Sequence, residues 1–223
     1  MIIFGHRGAP GYPRTAENTI GSFTKALRAG ATGLEFDVRR CADGQLVVIH
    51  DDTIDRTTNG RGRVAKLTYE QLRQFDAGFG EPIPLLSNVL QQFGGKCLLN
   101  IELKSWDIAQ DVKKLVLMGG LQNSVIVSSF DWDELRTLVP DVPIALLAAK
   151  LRNLIVAAGE MDAAAIHPRC DLVTRSLVDH AHNANLRIHV WTVNDPQDVN
   201  TFRNLGVDGI FTDFPERCST LAL

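Results

Sequence analysis

Eight short runs rich in valine, isoleucine, leucine and phenylalanine recur along the chain, separated by longer segments of helical periodicity. No other feature constrains the fold as much. The runs are Ile2 to Gly5, Leu34 to Val38, Leu98 to Leu103, Val125 to Ser129, Ile144 to Leu147, Ala164 to His167, Ile188 to Val193 and Ile210 to Asp213. Apolar strands alternating with amphipathic helices are the signature of βαβ units around a parallel sheet. Eight such units predict an α/β fold of the (β/α)8 TIM-barrel type. The 223 residues lie near the short end for one complete barrel, so a single domain spanning 1–223 is expected.

The intervening helices are expected over Ile20 to Ala29, Asp107 to Met118, Asp133 to Leu138, Leu151 to Ala158, Ser176 to Asn183 and Pro196 to Asn204. The last of these is the best marked, with Asp195 as N-cap, Pro196 at the first helical position and Gly206 beyond its end. One run falls outside the count of eight. Leu46 to His50 follows the second run after only a short polar stretch around Asp43-Gly44, too few residues for a parallel crossover. A hairpin is predicted instead, its return strand setting His50 roughly opposite Glu35. Residues 51–96, with several glycines and prolines, then form a long excursion with expected helices over Tyr69 to Phe75 and Leu86 to Phe93.

Composition narrows the function. A formal net charge of -3 supplies no diffuse attraction for nucleic acid or an anionic membrane, so any phosphate recognition must rest on a few placed groups. No apolar stretch approaches the length of a spanning helix. Cys41, Cys97, Cys170 and Cys218 are scattered without a CxxC pair, which fits reduced thiols. The opening Met-Ile-Ile-Phe-Gly-His has no features of a secretion signal, and a cytoplasmic location is expected.

Active sites of such barrels lie at the C-terminal ends of the strands, where this chain is rich in polar residues. His6 and Arg7 follow the first run, Glu35 and Asp37 lie on the second, Glu102 and Lys104 close the third, and Trp191 falls late on the seventh. Glu35 and Asp37 are two residues apart on a strand and so share a face, and Glu102 can bring a third carboxylate to a similar height. Such a set suits a hard divalent cation, Mg²⁺ or Ca²⁺. The competing reading pairs these acids with Arg7, Arg39 or Lys104. His6 and His50 are the candidates for general acid and base. Arg7 and Lys104 can neutralise a phosphate, and Trp191 can either present a flat wall to a substrate or serve as core. His167 can point into the same mouth, whereas His180, His182 and His189 suit surface or packing roles.

The chain resembles the glycerophosphodiester phosphodiesterases from end to end. The resemblance is carried by His6-Arg7-Gly8, Glu17-Asn18-Thr19, Glu35-Phe36-Asp37-Val38, Val47-Val48-Ile49-His50-Asp51, Asp55-Arg56-Thr57-Thr58-Asn59-Gly60, Asn100-Ile101-Glu102-Leu103-Lys104, Ser128-Ser129-Phe130, Trp191-Thr192-Val193-Asn194 and Gly206 to Asp213. It departs at Cys41-Ala42, on the hairpin tip. The resemblance implies a metal held by Glu35, Asp37 and Glu102, catalysis by His6 and His50, and phosphate contacts from Arg7 and Lys104. The implied reaction is metal-dependent hydrolysis of a small-molecule glycerophosphodiester to glycerol 3-phosphate and an alcohol, with water or the glycerol 2-hydroxyl as first nucleophile. Lysophospholipase D activity, a sphingomyelinase D-like transfer and a non-catalytic metal- or phosphate-binding barrel are the competing readings.

Overall fold

The computed structural model describes residues 1–151 and 153–219. Eight parallel strands close on themselves: β1 (Ile2–Gly5), β2 (Gly33–Arg40), β4 (Leu98–Leu103), β5 (Val125–Ser129), β6 (Ile144–Ala148), β7 (Ala165–Pro168), β8 (Arg187–Val190) and β9 (Gly209–Thr212). Pairing of β1 with both β2 and β9 seals the barrel. The remaining strand, β3 (Leu46–Val48), runs antiparallel to the upper half of β2 and lies outside the ring, as the hairpin reading requires.

The hairpin register differs from expectation by one residue. Val38 faces Val48, and the Ile49 amide donates to the Asp37 carbonyl, so the ladder continues towards Phe36, not Glu35, as the partner of His50. The cause is the turn. Cys41 bonds back to Gln45 around Gly44, whose φ of +83° suits glycine, and the turn centre moves one position along the chain. Cys41-Ala42 lies at this tip and does not line the cavity described below.

The helices are α1 (Ile20–Arg28), α2 (Tyr69–Leu72), α3 (Leu86–Phe93), α4 (Ala109–Met118), α5 (Trp132–Leu135), α6 (Leu154–Glu160), α7 (Arg175–Asn183), α8 (Pro196–Leu205) and α9 (Pro215–Ser219). Local chemistry sets their ends. The Thr19 side chain accepts from the Ser22 amide to start α1, and Lys25 and Arg28 sit in its last turn, where the helix dipole favours cations. Asp195 caps α8 ahead of Pro196, and Gly206 closes it at φ +82°. Of the expected helices, α2 and α5 are only four residues long, and α6 starts at Leu154. Arg152, inside the expected span, lies outside the described residues.

The main core lies between strands and helices, where Phe23, Phe36, Leu34, Leu99 and Ile101 are fully buried. The excursion divides into two parts. Its α3 packs Leu86, Val89, Leu90 and Phe93 into the main core as the crossover helix. The preceding segment has a small core of its own, built from Ile54, Val64, Leu72 and Ile83 around the hairpin residues Val47 and Ile49. Among the described residues no helix is long and apolar enough to cross a membrane.

Candidate active site

The C-terminal mouth of the barrel opens into a cavity of about 160 Å³. It is lined by His6, Arg7, Glu35, His50, Asn100, Glu102, Lys104, Phe130, Leu147, Trp191, Thr192 and Phe211. Of the residues expected to bind metal or phosphate, to carry the acid–base chemistry or to wall the substrate, all but one reach it. The exception, Asp37, lies buried just behind it. Sheet register explains the convergence, because β2 and β4 pair with Asp37 beside Glu102 and Glu35 beside Asn100. Glu35, Asp37 and Glu102 each offer an oxygen within 4.8 Å of the others.

This carboxylate group is under electrostatic tension. Glu35 and Asp37 are 3% and 1% exposed. Glu35 Oε1 is buried without a hydrogen-bond partner, while Asp37 Oδ1 and Glu102 Oε1 have only the shared Lys104 ammonium beside them. Burial and the neighbouring Asp37 charge push the Glu35 and Glu102 carboxyls well above the usual carboxylate range. Burial acts on Asp37 in the same sense, but the Lys104 and Arg7 cations outweigh it and hold Asp37 low. Unsatisfied, mutually repelling oxygens of this kind fit a hard cation bound among them. The competing ion-pair reading is present as well, since Lys104 Nζ lies 2.5 Å from Glu102 and 3.5 Å from Asp37, and Arg7 Nε lies 3.4 Å from Asp37. Two cations against three acids still leave an excess of negative charge. Arg39 takes no part, because its guanidinium donates to the carbonyls of His50 and Lys104 and so ties the hairpin to the end of β4.

Each candidate histidine is oriented by an aspartate. His6 Nδ1 is 2.7 Å from Asp213, which Asn194 holds in turn through a 2.7 Å hydrogen bond. His50 Nδ1 is 2.6 Å from Asp51, which Arg56 grips along with Glu17. Both rings therefore keep Nε2 free of their aspartates, and His6 Nε2 lies 4.0 Å from Glu35. Their environments differ. Burial lowers the affinity of His6 for a proton, but the Asp213 hydrogen bond and the Glu35 charge outweigh it and raise His6 above its ordinary value. At His50 burial, helped by Lys104 and Arg7, prevails over Asp37 and Asp51 and lowers it.

Arg7 adopts a left-handed φ of +54°, rare for a residue with a Cβ, and this turns its amide onto Glu35 Oε2 at 2.8 Å. Gly8 follows at φ +93°, where a side chain would collide with Ser22. Asn18, also left-handed, clamps Asp37 from both its backbone amide and its carboxylate.

Trp191 lies one residue past the end of β8, where an isolated parallel bridge to Arg169 extends the ladder and the Val193 amide then bonds to Phe211. Its indole N–H donates to the His167 carbonyl at 2.7 Å, and its ring meets Phe130 edge-on at 5.5 Å. His167 does not enter the mouth. Fully buried below it, its Nε2 is 3.0 Å from His189 Nδ1, against the rings of Phe4 and Phe211.

Sequence reasoning assigned no role to Asp213, Asp51, Asn18, Glu17, Arg56 or Asn194. Every one of them lies in a segment carrying the family resemblance, and Asp51 adjoins a candidate histidine directly.

The glycerophosphoryl diester phosphodiesterase family model matches residues 6–217, and the chain belongs to that family. It is an enzyme of that class. A glycerophosphodiester phosphodiesterase of Caldanaerobacter subterraneus is 37% identical, the match covering 96% of this chain and 95% of the relative. One from Bacillus altitudinis is also 37% identical, over 96% and 95%. Among solved structures, the Agrobacterium tumefaciens glycerophosphodiester phosphodiesterase superposes with a TM-score of 0.90 at 29% identity, covering 99% of this chain and all of its own. An Oleispira antarctica phosphodiesterase, solved with the product sn-glycerol-3-phosphate, gives a TM-score of 0.86 at 26% identity over 99% and 96%.

Proposed function

We propose that the chain hydrolyses glycerophosphodiesters to sn-glycerol 3-phosphate and an alcohol with a divalent cation, Mg²⁺ or Ca²⁺, held by Glu35, Asp37 and Glu102. The observation that carries this reading is a charge balance. Ionised together, the three buried carboxylates against Arg7 and Lys104 leave this inner group with one net negative charge. A divalent cation turns this into one positive charge, the complement of the single negative charge on a phosphodiester. Around this inner group His6 pairs with Asp213, and Arg56 is shared between Glu17 and Asp51.

When bound, the cation supplies Lewis-acid stabilisation of charge on the phosphoryl oxygens. The chain's own residues do the rest. Arg7 and Lys104 contact the phosphate, and their existing acid partners fix their positions. His6 and His50 exchange the protons: one takes the nucleophile's proton as the bond to phosphorus forms, and the other protonates the alcohol oxygen as its bond breaks. Asp213 and Asp51 hold the rings, and Trp191 with Leu147 and Phe211 walls the space beside the phosphate, where the glycerol carbons fit. The four unpaired cysteines support a reducing, cytoplasmic setting.

The test is release of glycerol 3-phosphate from glycerophosphocholine and glycerophosphoethanolamine. Activity is expected to vanish with EDTA and to return with Mg²⁺ or Ca²⁺. Full turnover in EDTA would refute the cation, and no turnover with either substrate and either ion would refute the reaction.

A further inference from the structure

A phosphodiester has two arms, and a second cleft of about 210 Å³, whose lining includes Glu102, Lys104, Trp106, Phe130, Asp131 and Glu134, adjoins the cavity just described. The two spaces share Glu102, Lys104 and Phe130, so they meet where Lys104 places the phosphate. Phe130 is the partition. Its ring is 49% exposed, packs against Trp191 on the first side, and has Lys104 Nζ 5.8 Å from its centroid.

The second cleft has an uncommon lining. Trp106, on the loop after β4, is 77% exposed and has no ring partner among the described residues. An indole left in water is a feature that folding alone does not account for. Beside it stand two acids. Glu134 uses Oε1 to accept the Ile108 and Ala109 amides at the start of α4, while the Asp131 carboxylate has no hydrogen-bond or ion-pair partner among the described residues. The Trp106 ring next to carboxylates forms a surface for a poorly hydrated cation, which the ring face attracts and the acids neutralise, while Phe130, which already has Lys104 beside its ring, serves as the wall towards the phosphate.

Resting on the diesterase reading above, we propose that this second cleft holds the departing alcohol, and that Trp106 and Asp131 make it selective for alcohols bearing an ammonium group, quaternary ammonium above all. The bound diester then spans both spaces, glycerol in the first and the cationic head group in the second, with phosphate at the junction.

The experiment compares kcat/KM for glycerophosphocholine with that for its 3,3-dimethylbutyl analogue, which has the shape of choline without its charge. The intact enzyme is expected to prefer the cation by about tenfold, the upper part of the range for a cation–π contact. Trp106→Ala is expected to cut that preference at least about threefold, and Asp131→Asn to cut it by a smaller factor. The ratio guards against a variant that is merely less well folded, since lost enzyme lowers both numbers together. Equal rates for the two esters in the intact enzyme, or a preference unchanged in both variants, would overturn the assignment. Absence of glycerol 3-phosphate from both esters would instead overturn the reaction on which it rests.

Discussion

The two halves of the barrel mouth are built from opposite materials. The arc from β1 to β4 carries His6, Arg7, Glu35, Asp37, His50, Glu102 and Lys104, all charged or titratable. The arc from β5 to β9 offers Phe130, Leu147, Trp191 and Phe211. Histidine occurs in both arcs and shows what the difference does. In the first, each imidazole has an aspartate at Nδ1 and partial access to the cavity. In the second, His167 and His189 have only each other and a ring-lined core. On the reading proposed above, the reacting groups lie on one side, with Asp213 reaching His6 from the end of β9, while the other side supplies an apolar wall that strengthens every electrostatic contact facing it.

The sharpest way to break this contrast is to remove a histidine from the polar arc. His6→Ala and His50→Ala are each expected to lower kcat about a thousandfold with little change in melting temperature. An intact rate in either variant would remove that ring from the chemistry.

Next in size is an acid-linked effect on stability from the apolar arc. Burial pulls His189 down to about 4 and His167 well below its ordinary value, so both are neutral when folded. Unfolded imidazoles take up protons below about pH 6.5. Their contribution is therefore complete above pH 6.5 and is lost as pH falls towards 4, by a few kcal/mol in all. Glu35 and Glu102, raised in the folded state, act with the opposite sign when no cation is bound. The measurement is accordingly a difference between wild type and a His167→Leu/His189→Phe double variant, with saturating Mg²⁺. Wild type should lose denaturation midpoint relative to the variant between pH 6.5 and 4, and parallel curves would show that the pair is not held neutral.

How much of this contrast was legible in sequence follows from how each part is specified. The polar arc is written in adjacent letters, because a strand with period two places Glu35 and Asp37 on one face without tertiary information. Lys104, two residues beyond Glu102, continues the same face. The eight strands were legible for a similar reason, as local apolar runs. The Asp213 partner of His6 comes from 207 residues away, across the seam where β1 meets β9, and no local pattern announces it. The hairpin register escaped by one residue because it depends on which turn the backbone chooses around Gly44. Trp191 lines the mouth as its place in the seventh run suggested, although β8 itself stops at Val190, whereas the sequence left open which way His167 turns, because that depends on the neighbouring strands.

A smaller effect should follow from loosening the contact by which the end of β9 holds the polar arc. Asp213 bonds to His6 Nδ1 and, on the proposed mechanism, positions the ring without touching a reacting atom. Asp213→Asn is expected to lower kcat about tenfold to a hundredfold with little effect on KM, a part of the loss seen on deleting the histidine. Because Asp213 helps to hold His6 above its ordinary value, the pH–rate limb set by His6 should also move to lower pH. A purely structural role would lower both substrates' rates and the melting temperature without moving that limb.

The smallest effect tests whether the apolar arc binds substrate or only fills space. Trp191 has two attachments, its N–H on the His167 carbonyl and its ring edge against Phe130, and either alone would account for a core residue. Its position on the cavity wall opposite the charged groups argues for contact with the glycerol carbons. Trp191→Ala should then raise KM about tenfold while changing kcat much less, since a dispersion contact with an unreactive carbon is the same in ground and transition states. Trp191→Phe keeps a flat wall but loses the N–H. It should restore KM to within about threefold and recover less of the melting temperature, because the buried carbonyl of His167 stays without its donor. If instead both variants lowered the melting temperature and neither moved KM, the indole would be core, and selection of glycerol would fall to the charged arc alone.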